Sequence, residues 1–181
     1  MSGMKAVLLS VRPKWCAKIA NKEKTLEVRK SCPKYETPFK CYIYQTKNGK
    51  VGTGLFTNDG EIMGRSVNNG KIIGEFVCDQ IYQYSTGNVE EKTISDEDMQ
   101  KQSCLTYAEL FDYEHSAEEK EFCVYLVGLY GWHISALQIY NKPRELSEFT
   151  GLRKTKFGMQ PVEITRAPQS WCYVNMQEET E

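Results

Sequence analysis

Short apolar segments, many alternating with polar residues in period two and ended by Gly, Asn or Pro, recur along this chain of 181 residues. That pattern constrains the fold more than any other feature. It predicts many short strands joined by hairpins rather than a helical bundle or a parallel α/β sheet. Ala6–Val11, Thr25–Lys30 and Lys40–Thr46 read as strands, and Lys71–Tyr84 reads as a longer β-rich segment whose interior Gly74 marks a bulge or bend. Leu129–Tyr140 reads as a strand pair or one bent strand, and Trp171–Val174 as a closing strand. Residues 47–70 hold six of the thirteen glycines and read as turns and a flexible loop. Residues 150–169 read as loop, and Pro143–Phe149 as a short helix starting at the proline.

Two helical regions interrupt the β pattern. Pro13 opens an amphipathic helix in which Trp15 and Ile19 share one face and Lys14, Lys18 and Lys22 another. Residues 90–121 read as an acidic helical insertion. Ser95 opens a helix there, and both Thr106-Tyr-Ala-Glu109 and Ser116-Ala-Glu-Glu119 fit a capping box, in which hydroxyl and carboxylate each satisfy an orphan N–H. The class expected is α+β, mostly β: a small barrel with an early amphipathic helix and a helical acidic insertion. Residues 4–142 would form the barrel, and residues 143–181 a C-terminal extension packed on it.

Net charge is −1 overall, but it is unevenly spread. Residues 1–54 carry 12 Lys/Arg against 3 Glu, a net of +9, whereas residues 55–125 carry 5 basic and 15 acidic residues, a net of −10. Such asymmetry points to a polyanion partner, or to two oppositely charged faces that attract within the fold. No apolar run approaches the ~18 residues of a membrane span, and no signal-peptide pattern opens the chain, so a cytoplasmic protein without membrane contact is expected. The seven cysteines form no Cys-x-x-Cys pair and there are only two histidines, so reduced thiols are expected, with no metal site and no cofactor.

The chemistry-bearing residues cluster early. Within Leu9–Trp15 and Lys22–Arg29, a strand, a helix and a strand bring Arg12, Lys24, Thr25, Glu27 and Arg29 together in fewer than twenty residues. Thr25, Glu27 and Arg29 would share one sheet face. Carboxylate beside guanidinium is an ordinary strand pair. It is equally the floor of a polar cleft, with Arg29 binding a phosphate or base edge, Glu27 holding it, and Lys24 serving as base or anion ligand.

The segments Ser10-Val-Arg-Pro-Lys-Trp15 and Lys24-Thr-Leu-Glu-Val-Arg29 resemble the ASCH domain, the activating signal cointegrator homology family. Gly74–Cys78, Cys104–Leu110, Tyr130-Gly-Trp-His-Ile134 and Pro168–Val174 extend the resemblance, which is closest to longer bacterial and phage members. It implies a PUA-like barrel that binds RNA or a modified nucleoside in a cleft beside the first helix, with a role in RNA processing or regulation. The residues it places there are Arg12, Trp15, Lys24, Thr25, Glu27, Arg29, Trp132 and His133. A bacterial branch of the family is an N4-acetylcytidine amidohydrolase with a Lys–Thr–Glu set. Its lysine falls on Lys24, its threonine on Glu27 and its glutamate near Ser103, so one role of three is kept. A replacement set would be Lys24 and Glu27, joined by Glu109. The tryptophans fit a core as well as a stacking surface. The acidic 90–121 segment could cover the cleft, bind a protein partner or mimic nucleic acid.

Overall fold

The computed structural model describes residues 5–47, 55–56, 62–63, 69–87, 92–115 and 128–176. The second expected capping box, Cys123 and most of the 47–70 loop lie outside them.

The described strands form a seven-stranded sheet, a three-stranded sheet and a two-stranded ribbon. In chain order the elements begin β1 (Ala6–Val11), α1 (Pro13–Ala20), β2 (Leu26–Arg29), β3 (Phe39–Gln45), β4 (Leu55–Phe56), β5 (Ile62–Met63), β6 (Ile72–Cys78) and β7 (Ile81–Tyr84). They continue with α2 (Asp96–Ser103), α3 (Tyr107–Glu114), β8 (Leu129–His133), β9 (Ser135–Arg144), β10 (Thr150–Thr155), β11 (Gly158–Glu163) and β12 (Trp171–Val174). The large sheet runs β11-β10-β12-β1-β3-β6-β9 and the smaller β2-β8-β7. Among the described residues neither sheet closes into a ring of pairs.

The central position of β1 follows from its sequence. Val7, Leu9 and Val11 face one side and Ala6 and Leu8 the other, and all five are buried. The first three pack with Cys16 and Ile19 of α1, Phe39, Phe76 and Trp132 in the main core, between the two sheets. Ala6 and Leu8 pack with Tyr42, Phe149 and Val174 on the opposite side. A third cluster joins Leu26 and Val28 of β2 to Met99 of α2 and Leu110 of α3. The acidic insertion is thus anchored through its few apolar residues. Its caps are those read from the sequence: Ser95 accepts from Asp98 N–H, and Thr106 with Glu109 forms a full capping box.

Two expectations are corrected. Pro143 lies within β9 rather than opening a helix, and only Leu146–Glu148 makes a 3₁₀ turn. Residues 150–163 are not loop: β10 and β11 pair antiparallel from Thr150↔Glu163 to Thr155↔Gly158. β11 is largely exposed and β10 buries only Gly151, so neither shows apolar alternation, and Pro161 is tolerated because β11 is an edge strand. Lys71–Tyr84 divides into β6 and β7, which belong to different sheets. Residues 143–176 supply three strands of the large sheet, with β12 between β10 and β1.

Gly74 sits at the expected irregularity, where the β6–β9 register shifts. A Cβ there would lie 2.4 Å from the Gln138 carbonyl oxygen in the main chain of β9. Gly74→Ala is therefore expected to destabilise the protein by about 1–3 kcal/mol, read as a lower urea midpoint. An unchanged midpoint would mean that β9 can move aside at no cost.

Candidate functional site

A cleft of about 570 Å³ opens where the two sheets meet, at the C-terminal end of β1. Its floor is built by β2. Leu26 and Val28 go to the helix-side core, which turns Glu27 and Arg29 towards the large sheet. Lys24, Glu27 and Arg29 are only 3%, 3% and 8% exposed, so three charges sit almost dry.

They are arranged around one carboxylate. Arg29 Nη1 donates to Glu27 Oε1, and Lys24 Nζ lies 3.4 Å from Glu27 Oε2. Arg29 also donates to the carbonyls of Val28 (2.9 Å) and Ser10 (2.8 Å), tying β2 to β1. Lys24 Nζ donates to the Ser103 carbonyl (2.7 Å) at the end of α2. Burial would raise the Glu27 carboxyl, but Arg29 and Lys24 outweigh it and hold the group below the usual carboxylate range. Burial lowers the Lys24 amine against the opposing pull of Glu27. One anion faces two cations, which explains why the carboxylate is overcompensated while the lysine is not. Glu27 Oε2 and Arg29 Nε make no hydrogen bond, although both are buried.

The walls come from separate segments. Arg12 and Trp15, at the start of α1, form one side. The Trp15 ring lies beneath Lys14 Nζ at 4.4 Å and Lys24 Nζ at 5.1 Å from its centroid. Leu105, Glu109 and Tyr113 form another, so the acidic insertion is a wall of the cleft. Gln169 and Ser170 close the third side, held by Ser10: its N–H donates to the Ser170 carbonyl and its Oγ to the Pro168 carbonyl.

The structure therefore brings together Arg12, Trp15, Lys24, Glu27 and Arg29. It separates three others from them. Thr25 precedes β2 and turns to α2, its N–H donating to the Gln102 carbonyl. The phase differs because Lys22, at φ 60°, ends a turn before the strand begins at Leu26. Trp132 is fully buried in the main core, edge-on to Phe39 and tilted against Trp171. His133 points away from the cleft, with Nδ1 2.6 Å from Asp79 Oδ1. Glu109 does reach the cleft, but its carboxylate accepts from Thr106 N–H (2.8 Å) and lies 3.0 Å from Thr106 Oγ1 as a helix cap. Of the lysine stripe, Lys18 is paired with Glu23 at 3.0 Å, and Lys14 lies over the Trp15 ring. Six described cysteines are free thiols, and no cluster of metal ligands occurs among the described residues. Among them, no helix is long and apolar enough to cross a membrane.

Ser10, Ser170 and Gln169 were not foreseen as parts of the site. Two of them act through main-chain groups, which leave no mark in side-chain chemistry.

No family model and no curated protein matches the chain. Among solved structures, the ASCH protein from Zymomonas mobilis superposes on 94% of this chain and 88% of its own, with a TM-score of 0.54 at 17% identity. The chain has an ASCH fold. One single-residue variant of the same Zymomonas protein covers 97% of this chain and 92% of its own at 14% identity and a TM-score of 0.48. A second covers 94% and 91% at 12% identity and 0.43. Within this ASCH fold, two of the sequence segments that carry the family resemblance, Ser10–Trp15 and Lys24–Arg29, adjoin and both line the cleft. The Gly131-Trp-His segment lies on β8 beside β2, where Glu27 pairs with Trp132.

Proposed function

We propose that the cleft binds a nucleoside unit of single-stranded RNA, or a modified nucleoside, as the ASCH fold and its PUA-like kinship suggest. The observation that carries this reading is the buried Lys24–Glu27–Arg29 set at the floor of an open cleft, where Glu27 Oε2 has only the 3.4 Å ion pair to Lys24 and Arg29 Nε makes no hydrogen bond. Buried ion networks add little net stability compared with apolar packing of the same volume. A polar ligand edge that gives a donor to Glu27 and an acceptor to Lys24 or Arg29 completes the set. Trp15 offers a face for a base, and Arg12, exposed at the rim, offers a cation for a phosphate. Lys24 Nζ is already committed to Ser103 and faces Glu27, an arrangement better suited to recognition than to proton transfer.

Fluorescence anisotropy with labelled single-stranded RNA at varied salt tests it. The wild type is expected to bind, with affinity falling as salt rises. Arg12→Ala is expected to reduce the logarithmic salt slope by about 0.7, one phosphate contact on a single strand. Trp15→Ala is expected to weaken binding by about 1–3 kcal/mol without changing that slope. Absence of binding at low salt, for oligonucleotides and free nucleosides alike, would remove the proposal.

A further inference from the structure

We propose that the tip of the β10–β11 hairpin is a second contact for single-stranded nucleic acid, one that extends the footprint of the cleft along the same end of the sheet. The proposal rests on the reading of the cleft as a nucleoside site. Its own observations lie elsewhere in the chain.

The first is exposure. Phe157, at the turn, is 79% exposed, and Met159 beside it is 38% exposed. A lone apolar side chain on a surface needs no explanation, and Lys154, Lys156 and Pro161 of this ribbon suit the protection of an edge strand, but a phenylalanine held out at the tip does not serve that protection. The second is order. Thr155 Oγ1 accepts from the Phe157 N–H at 3.1 Å and donates to the Gly158 carbonyl at 3.0 Å, so the turn is set before any partner arrives. Gly158, at φ 97°, supplies the left-handed residue the turn requires. Preset turns lose less entropy on binding. The third is charge. Arg153, Lys154 and Lys156 are exposed, and no acidic residue occurs from Phe149 to Val162. Lys156 Nζ lies 4.9 Å from the Phe157 ring centroid, so cation and aromatic face are presented together. A base stacked on an aromatic beside a cation that meets its phosphate is the elementary unit of sequence-tolerant single-strand binding.

The fourth observation is register, and it chooses the partner. Val174 of β12 pairs with Ala6 of β1 and with Gly151 of β10. Both pairings are antiparallel, so β10 runs in the same direction as β1, with Gly151 level with Ala6. Counting forward along both strands, Thr155 comes level with Ser10, which lines the cleft. The tip therefore projects from the cleft end of the sheet, two strand spacings or about 10 Å to the side. An anionic membrane would also attract three cations and a phenylalanine. However, one ring and one methionine make a poor amphipathic face, and the alignment with the cleft has no role in that case.

The test compares labelled RNA of about 4 nucleotides with RNA of about 16, the span of known single-strand sites. The proteins are the full chain, Phe157→Ser, and the pair Lys154→Gln with Lys156→Gln, each checked for an unchanged circular dichroism spectrum. The expected result is at least a fivefold loss of affinity for the long strand in Phe157→Ser, with the short one unaffected. The lysine pair should lower the logarithmic salt slope for the long strand by about 1.4, two phosphates at 0.7 each. Equal affinity of all three proteins for the long strand would overturn the proposal while leaving the cleft reading intact. Loss in the hairpin variants, with Arg12→Ala and Trp15→Ala binding normally, would keep the hairpin contact and remove the cleft. Binding of phosphatidylserine vesicles that depends on Phe157, with no RNA bound, would overturn both.

Discussion

Glu27→Ala is expected to destabilise the protein by about 3–5 kcal/mol, the cost of breaking a buried ion pair from one side. Glu27 is 3% exposed and is the anion between Lys24 and Arg29. Its removal leaves two positive groups buried near each other, with only carbonyl oxygens of Ser103, Val28 and Ser10 as acceptors. Both are almost fully buried at the floor of the cleft, so the lost anion is poorly replaced by solvent. Glu27→Gln keeps the volume and one acceptor oxygen for Arg29, so it should cost less than the alanine. The measurement is the urea midpoint at pH 7 for the three proteins. The pH dependence has a fixed sign. The folded Glu27 carboxyl lies below its ordinary value, chiefly because Arg29 and then Lys24 overcome the effect of burial. Its contribution is therefore complete above the unfolded-state pKa of about 4.3, and it is lost as pH falls through the lower folded value. The wild type should lose stability in that acid window, whereas Glu27→Gln lacks this component of the slope. Equal midpoints at pH 7 would show that the network holds nothing together.

How far the sequence disclosed this arrangement depended on whether period and chemistry agreed. In β2 they agreed. Leu26 and Val28 against Glu27 and Arg29 is a period-two pattern, and the structure sends the first pair to the core and the second to the cleft. Lys24 and Thr25 precede the strand, where period two does not apply, and the turn at Lys22 delivers the lysine rather than the threonine to the site. The caps of α2 and α3 were legible because capping is local chemistry. The β10–β11 hairpin was not, because β11 is largely exposed and the one fully buried position of β10 is a glycine, which leaves no apolar face to impose alternation. Ser10 and Ser170 lie in segments that carry the family resemblance, but side-chain chemistry did not mark their part in the site. Each offers a carbonyl beside the β1–β12 pairing, which any residue carries, and only the Ser10 hydroxyl adds a side-chain bond, to the Pro168 carbonyl. The closed barrel expected from the strand count depended on pairings between distant strands, which no local pattern encodes.

Trp132 shows where the sequence left two outcomes open, and it supplies the other large expected effect. Trp132→Ala should cost about 3–5 kcal/mol, the range for deleting a large aromatic from a core. Because Trp132 pairs across β2–β8 with Glu27, its side chain faces the same side as the charged set. From the sequence, that position suits a stacking platform as well as a core residue. Packing decides. The ring is wholly buried, 5.6 Å from the Phe39 centroid and 5.9 Å from that of Trp171, and it does not line the cleft. Its Nε1 makes no hydrogen bond, so Trp132→Phe forfeits volume but no polar partner and should be distinctly milder than the alanine. For a chain of this length, a loss of 1 kcal/mol lowers Tm by about 2–4 °C, so the alanine variant should melt about 6–20 °C below the wild type. The phenylalanine variant separates the two roles. A core residue predicts a lowered Tm with RNA affinity per folded molecule unchanged. A stacking platform predicts the reverse: unchanged melting with weakened binding. The second result would return Trp132 to the ligand site and require the cleft to open towards β8.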